Sequence, residues 1–243
     1  MIFIGIGLLI IGAVLFFTQR HQAQKVFSIK SARAMTASEL TATAGAVAEE
    51  IGGGSWRDYV KVWGEITAPQ PLYSEHKQEP CVHYVSKVLR EYEKTETTKA
   101  QDGSVKTEQK RTSEVVSQNK QSIPFLLRDR SGTVKVDLTG ADIETVSILN
   151  EFRAERSGTT LGYRYQESVL PIGRNVLVVG AVSDLTGEVL IGKPVKSANK
   201  YLISLKDEEA LVVTTQRNAK GTFAFMVACL GVGALLLVLG ILK

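Results

Sequence analysis

Outside its apolar ends, the chain carries only three residues suited to metal binding or nucleophilic chemistry at close spacing: His76, Cys81 and His83. Cys81 and His83 are two apart, so a regular strand would set them on one face, with His76 near in sequence. Thiolate and imidazole so placed can ligate zinc, or act as nucleophile and base. A structural zinc site closes with four ligands, and apart from His21, just past the first apolar run, no further Cys or His lies between the apolar ends. A Cys–His dyad needs the base rotated towards the sulfur and a third group to orient it, and no residue pattern supplies that group. The Gly-x-Ser-x-Gly, P-loop and His-Glu-x-x-His motifs are absent. Asp129, Asp137 and Asp142 have the surroundings of turns and a helix start. The residue types therefore predict half-buried strand positions, with no catalytic residue, no metal site and no cofactor.

The elements that would position these residues read as short strands. Residues 123–138 fold about Asp129-Arg130-Ser131-Gly132: Phe125, Leu126 and Leu127 precede the turn, and Val134, Val136 and Leu138 alternate with polar residues after it. Asp129 offers turn hydrogen bonds, and Gly132 a position for φ > 0. Residues 169–182 repeat the idea, a Gly-punctuated turn feeding a continuous apolar run. Residues 56–67 form a strand, with Gly64 a bulge or bend. A long alternating strand runs from Cys81 to Lys94, Asp102-Gly103 turns it, and 105–118 returns. The outer part, 94–112, is almost wholly polar and should project as a solvated or partner-binding arm. Thr36 and Glu39 have capping-box spacing, and Met35 and Leu40 the spacing of a hydrophobic staple, so a helix is expected to run to about Ile51 and stop at Gly52-Gly53-Gly54. Residues 141–156 read as a short helix and 211–215 as a last strand. The expected fold is mainly β with minor α: an OB-like curved barrel with a long polar hairpin, flanked by two transmembrane helices.

No charged side chain occurs in residues 1–17 or 223–242. Twenty helical residues rise ~30 Å, the thickness of a bilayer's hydrocarbon core. The first run lacks a basic region before it and exceeds a signal peptide's apolar stretch, which predicts an uncleaved anchor. The domain reading is a transmembrane helix at 1–18, a basic linker and juxtamembrane helix at 19–55, a β domain at 56–216 and a second transmembrane helix at 222–242. Arg20, Lys25, Lys30 and Arg33 follow the first run and Arg217 and Lys220 precede the second, so the positive-inside rule puts the middle in the cytoplasm. The net charge of +4 is small and well mixed; it favours anionic lipid beside the spans and gives no ground for nucleic acid. Cys81 and Cys229 are too differently placed to pair.

Several phrases resemble the GIDE, or "beside a membrane", domain: Val62-Trp63-Gly64-Glu65-Ile66, Glu79-Pro80-Cys81-Val82-His83-Tyr84, Phe125-Leu126-Leu127-Arg128-Asp129 with Gly132 and Val134, and Glu167-Ser168-Val169-Leu170-Pro171-Ile172-Gly173 leading into Val178-Val179-Gly180. The resemblance covers about 56–215 and both apolar ends. In mitochondrial and chloroplast members this domain lies between two transmembrane helices, followed by a cytosolic RING finger. It implies a relative of membrane-anchored E3 ubiquitin ligases and places the domain on the side away from the cytosol, opposite to the charge reading. A RING takes eight Cys or His ligands, and this sequence, ending just past its second apolar run, resembles a RING-less version.

Together these readings predict a multi-pass membrane protein that is a non-catalytic interaction or scaffold module, its partners the lipid bilayer and another protein. One alternative is a ligase-like component that needs a catalytic partner; another is lipid or small-ligand binding by the barrel. Oligomeric state and partner identity are not legible.

Overall fold

The computed structural model describes residues 2–54, 56–99, 105–184, 187–196 and 199–241. The elements in chain order are α1 (Ile2–Ser31), β1 (Arg33–Ala34), α2 (Ala37–Ile51), β2 (Arg57–Thr67), β3 (Leu72–Tyr73), β4 (Pro80–Lys99), β5 (Val105–Ser122), β6 (Phe125–Arg128), β7 (Thr133–Val136), β8 (Asp142–Ile143), β9 (Val146–Ser157), β10 (Thr160–Pro171), β11 (Asn175–Ser183), β12 (Leu190–Gly192), β13 (Leu202–Ser204) and α3 (Glu208–Ile241). The protein is mainly β, as its sequence predicts.

Five strands close a barrel. β2 pairs β6, β6 pairs β7, β7 runs parallel to β12, β12 pairs β11, and β11 returns antiparallel to β2. The period-2 pattern fills it: Val60, Val62 and Ile66 from β2, Phe125 and Leu127 from β6, and Val134 and Val136 from β7 all point inward. β11 reads as an unbroken apolar run because both its faces are covered. Val176 and Val178 face the barrel interior, while Leu177 and Val179 pack against Ile29 and Ala32 at the end of α1. Gly64 is not a bulge. A Cβ there would lie 2.6 Å from the Arg128 carbonyl oxygen, so glycine is what lets β2 and β6 close.

α2 packs against the same core through Ala37, Leu40 and Ala44. Its capping box forms as expected: the Thr36 N–H donates to Glu39 Oε2 (2.7 Å) and the Glu39 N–H to Thr36 Oγ1 (3.3 Å). The β6–β7 turn also closes as expected, with Asp129 Oδ1 accepting from the Ser131 N–H (2.7 Å) and the Gly132 N–H (3.0 Å). Gly132 itself is not left-handed; the aspartate, not a positive φ, shapes this turn. In the second turn Gly173 does take φ +73°.

A second antiparallel sheet, ordered β5-β4-β10-β9 with β3 beside the start of β4, stands on the barrel. Val82 and Leu170 at its base join the main core, and its outer part is polar. Arg111 and Arg164 each lie over the Phe152 ring (5.0 and 5.6 Å) and each donate through Nε to Glu91 (2.6 Å). The hairpin arm of β4 and β5 extends as paired strands to Lys99 and from Val105, with the predicted Asp102-Gly103 turn outside the described residues.

Two expectations are overturned. Residues 141–156 are not a helix but β8 and β9. Residues 211–215 are not a strand; they lie in the first turns of α3, where Leu211 and Val212 pack against Leu177, Val179 and Leu202. After the first apolar run α1 continues as helix through the basic stretch to Ser31.

α1 and α3 lie side by side and antiparallel. A Cβ on Gly5 would sit 3.0 Å from the Gly233 carbonyl, and one on Gly12 only 2.5 Å from Leu230 Cδ2, so glycine sets their close approach. Both are long and apolar enough to cross a membrane, and only 11% and 17% of their apolar windows are buried within the protein. Their greasy flanks therefore face outward.

Candidate functional site

The three residues with chemical potential do not form a site. A β-bulge interrupts β4: Leu170 pairs with His83 and Val169 with Tyr84, but the next residue, Pro171, pairs with Cys81, leaving Val82 as the extra residue. Cys81 consequently packs with Tyr84 and Val169, on one face, while His83 follows Leu170 to the other. The shared face expected from their spacing is lost, because the period of two fails across a bulge. Burial, reinforced by the Glu167 charge, pushes the Cys81 thiol up to about 11, which keeps it protonated and unreactive at neutral pH. His76 lies apart, its ring edge-on to Tyr165 at 5.4 Å.

Ser122 was not legible as a neighbour of His83 until the strands were registered. Its Oγ lies 2.7 Å from His83 Nδ1 across the β4–β5 pair. Burial and the nearby Lys120 charge hold the imidazole below its ordinary 6.5. No carboxylate bonds to that ring among the described residues, so the orienting third group of a serine hydrolase is missing. The fully buried Glu167 is spent on local structure, accepting from Ser74 Oγ (3.2 Å) and from the N–H groups of His76 and Lys77 (2.9 Å each). Among the described residues no three His, Cys, Asp or Glu side chains come together as a metal site.

A large concavity lies elsewhere, where the barrel meets α2 and the start of α3. It is an open groove of about 910 Å³ between the start of α2, the outer face of β2, the β6–β7 turn and the start of α3. Along β2 the odd-numbered side chains point out of the barrel, which places Lys61, Trp63 and Glu65 in a row on the groove floor. Trp63 is 41% exposed, a large apolar side chain left uncovered on the floor of the cleft. Beside it Lys61 Nζ donates to the Ile29 carbonyl (3.3 Å) and forms an ion pair with Glu208. Glu65 accepts from Arg128 Nη2 at 2.8 Å. The far wall is held by Asp129, whose Oδ2 accepts from the Ala37 N–H (2.8 Å), and by Ser131, whose Oγ accepts from the Ser38 N–H (2.9 Å).

The backbone there is also incomplete. The Lys61 carbonyl accepts from the Met35 N–H (3.1 Å), so odd residues of β2 turn their main chain towards β1 and β6. Pairing with β1 ends at Lys61, and pairing with β6 begins at Glu65. Trp63, between them, has no described strand opposite its N–H and C=O on that side. An aromatic plate, an open donor–acceptor pair and ionised walls are recognition chemistry; none of the groups is an activated nucleophile or base.

A family model described as GIDE, E3 ubiquitin ligase, matches residues 93–240. The chain belongs to the GIDE family. That match starts within β4 and takes in the arm, β5 to β13 and α3; the Val62–Ile66 and Glu79–Tyr84 phrases that suggested the family lie outside it. No curated protein and no solved structure matches the chain.

Proposed function

We propose that this GIDE protein is a non-catalytic interaction module, anchored in a bilayer by α1 and α3 and presenting its barrel groove to a protein partner. One relationship carries the reading. The apolar run of α1 ends at Phe17 and the helix meets the β domain from Lys25, paired with Asp142, to Ile29; α3 packs on it at Leu211 and Val212, and its apolar run begins at Phe223. At 1.5 Å per residue, α1 spans ~12 Å between hydrocarbon edge and its ion pair with the β domain, and α3 ~17 Å between Val212 and its apolar run. These polar turns support a barrel seated just beyond the hydrocarbon, with its groove open to the aqueous space.

The ligase-like alternative rests on the family's description. The 243 residues contain two Cys and three His, fewer than the eight ligands of a RING, so on this reading ubiquitin transfer draws on a RING that these residues do not supply. The basic residues Arg20, Lys25, Arg217 and Lys220 beside the apolar runs support a cytoplasmic barrel.

Proximity labelling from the intact protein, repeated after deleting residues 94–112, tests the module. A defined set of labelled proteins that survives alkaline extraction of peripheral material supports it. Release of the full-length chain by alkaline carbonate, or no enrichment over an unrelated double-anchored protein, overturns it. A protease-accessible tag in the arm reports the side on which the barrel lies.

A further inference from the structure

Resting on the interaction-module reading, we infer that the groove takes an extended, basic peptide segment of the partner, with a Lys or Arg side chain over the Trp63 indole and its main chain paired to Trp63. Three features of the groove point to this occupant. The first is the exposed indole, since a cation over a Trp face is the strongest form of cation–π contact. The second is charge: the lining carries five carboxylates (Glu39, Glu65, Asp129, Asp207 and Glu208) against three cations, Lys61, Arg128 and Arg130. Lys61 and Arg128 are already paired with groove carboxylates. The resulting excess of negative charge attracts a cationic segment and repels an acidic one or a nucleic acid.

The third is the main chain. The open N–H and C=O of Trp63 lie between two strand pairings that stop short on either side. A single extended residue placed there makes the two hydrogen bonds that neither β1 nor β6 supplies, the minimal form of strand addition. An extended chain alternates its side chains, so the residue paired to Trp63 and those flanking it fall in turn towards and away from the indole. The same negative charge disfavours an anionic lipid headgroup, which makes the occupant a cationic protein segment.

The test uses full-length protein in lipid nanodiscs and fluorescein-labelled eight-residue peptides alternating Gly with Lys, Glu or norleucine, read by anisotropy. The Lys peptide is expected to bind saturably, at least tenfold tighter than the Glu and norleucine peptides, and to weaken as salt rises. Trp63→Ala should weaken it about tenfold, Trp63→Phe by less, and Glu65→Gln by severalfold, on the scale of a desolvated cation–π contact. In a Trp56→Phe background Trp63 is the remaining indole, and its emission should shift on addition of the Lys peptide alone. Equal binding of the three peptides, or unchanged affinity in the Trp63→Ala variant, overturns the inference. No peptide binding while proximity labelling still yields defined partners removes the groove assignment and leaves the module standing.

Discussion

Asp129 Oδ2 accepts a hydrogen bond from the main-chain N–H of Ala37 at 2.8 Å, joining a hairpin turn to the first turn of a helix 92 residues away. The same carboxylate holds its own turn through Ser131 and Gly132, so one side chain closes the hairpin and caps α2. Asp129→Ala removes all of these bonds. It should cost about 1–2 kcal/mol and lower Tm by about 2–8 °C, measured by thermal unfolding in detergent. Asp129→Asn, which keeps an acceptor oxygen, should recover part of the loss; an Ala variant as stable as the parent would show that the turn folds without its aspartate.

Stability should fall on the acid side in two stages. Burial and Lys120 lower the His83 pKa below 6.5, so the unfolded chain binds a proton there that the folded one refuses. That contribution is complete above pH 6.5 and is lost as pH drops through the lower folded value. Burial alone would raise Glu91 and Asp129. For Glu91 the Arg164 and Arg111 hydrogen bonds outweigh it; for Asp129 the bonds from Ser131, Ala37 and Gly132 do. Their contribution is present above the ordinary carboxylate range near 4 and disappears below it. Urea midpoints measured from pH 8 to 3 should show both steps, and His83→Gln should flatten only the upper one.

What the residues revealed tracks how local the information is. The 125–136 hairpin was legible because its turn residues act on neighbours, and α2 because Thr36 and Glu39 cap it from three residues apart. Residues 141–156 misled because β9 is an edge strand whose residues are mostly exposed on both faces. No buried stripe enforces a period of two there, and Ile143, Val146, Ile148, Leu149 and Phe152 imitate a helical spacing. Val212-Val213-Thr214-Thr215 has strand propensity, but Asp207 bonds the Ala210 N–H (2.8 Å) and starts α3 first. The groove was invisible for a different reason: the main chain of Trp63 is open because two pairings of β2 stop on either side of it, and no sequence spacing encodes that gap.

Two glycine replacements should act in opposite directions. In Gly64→Ala the new methyl meets the Arg128 carbonyl oxygen at 2.6 Å and Leu127 Cγ at 3.0 Å, inside a strand pair that cannot retreat without opening the barrel. A loss of about 1–3 kcal/mol is expected. Gly45 lies exposed within α2 with nothing within 4 Å of an added Cβ, so Gly45→Ala should gain about 0.5–1 kcal/mol from helix propensity. Denaturant midpoints of the two variants measured side by side decide it; equal effects would mean that the barrel seam tolerates a methyl.

Lys61 ties the barrel to both long helices at once. Its Nζ reaches the Ile29 carbonyl, one of the last acceptors of α1 left without an intrahelical partner, and Glu208 in the first turn of α3. Glu208 is itself favourably placed for the helix dipole. Lys61→Met keeps the apolar stem but strips both contacts, and should cost about 1–3 kcal/mol, with faster amide exchange concentrated in residues 28–34 and 207–212. The charge-swapped Lys61→Glu, Glu208→Lys variant restores a pair on paper. It should nonetheless recover less than half of the loss, because a carboxylate cannot donate to the Ile29 carbonyl and a lysine opposes the dipole at the α3 start. Full recovery in the swap would reduce Lys61 to a simple ion-pair partner and leave the α1 terminus to be held by its other contacts, Ile29 and Ala32 packing, the Lys25–Asp142 pair and the Lys200 N–H to Ser28 Oγ bond.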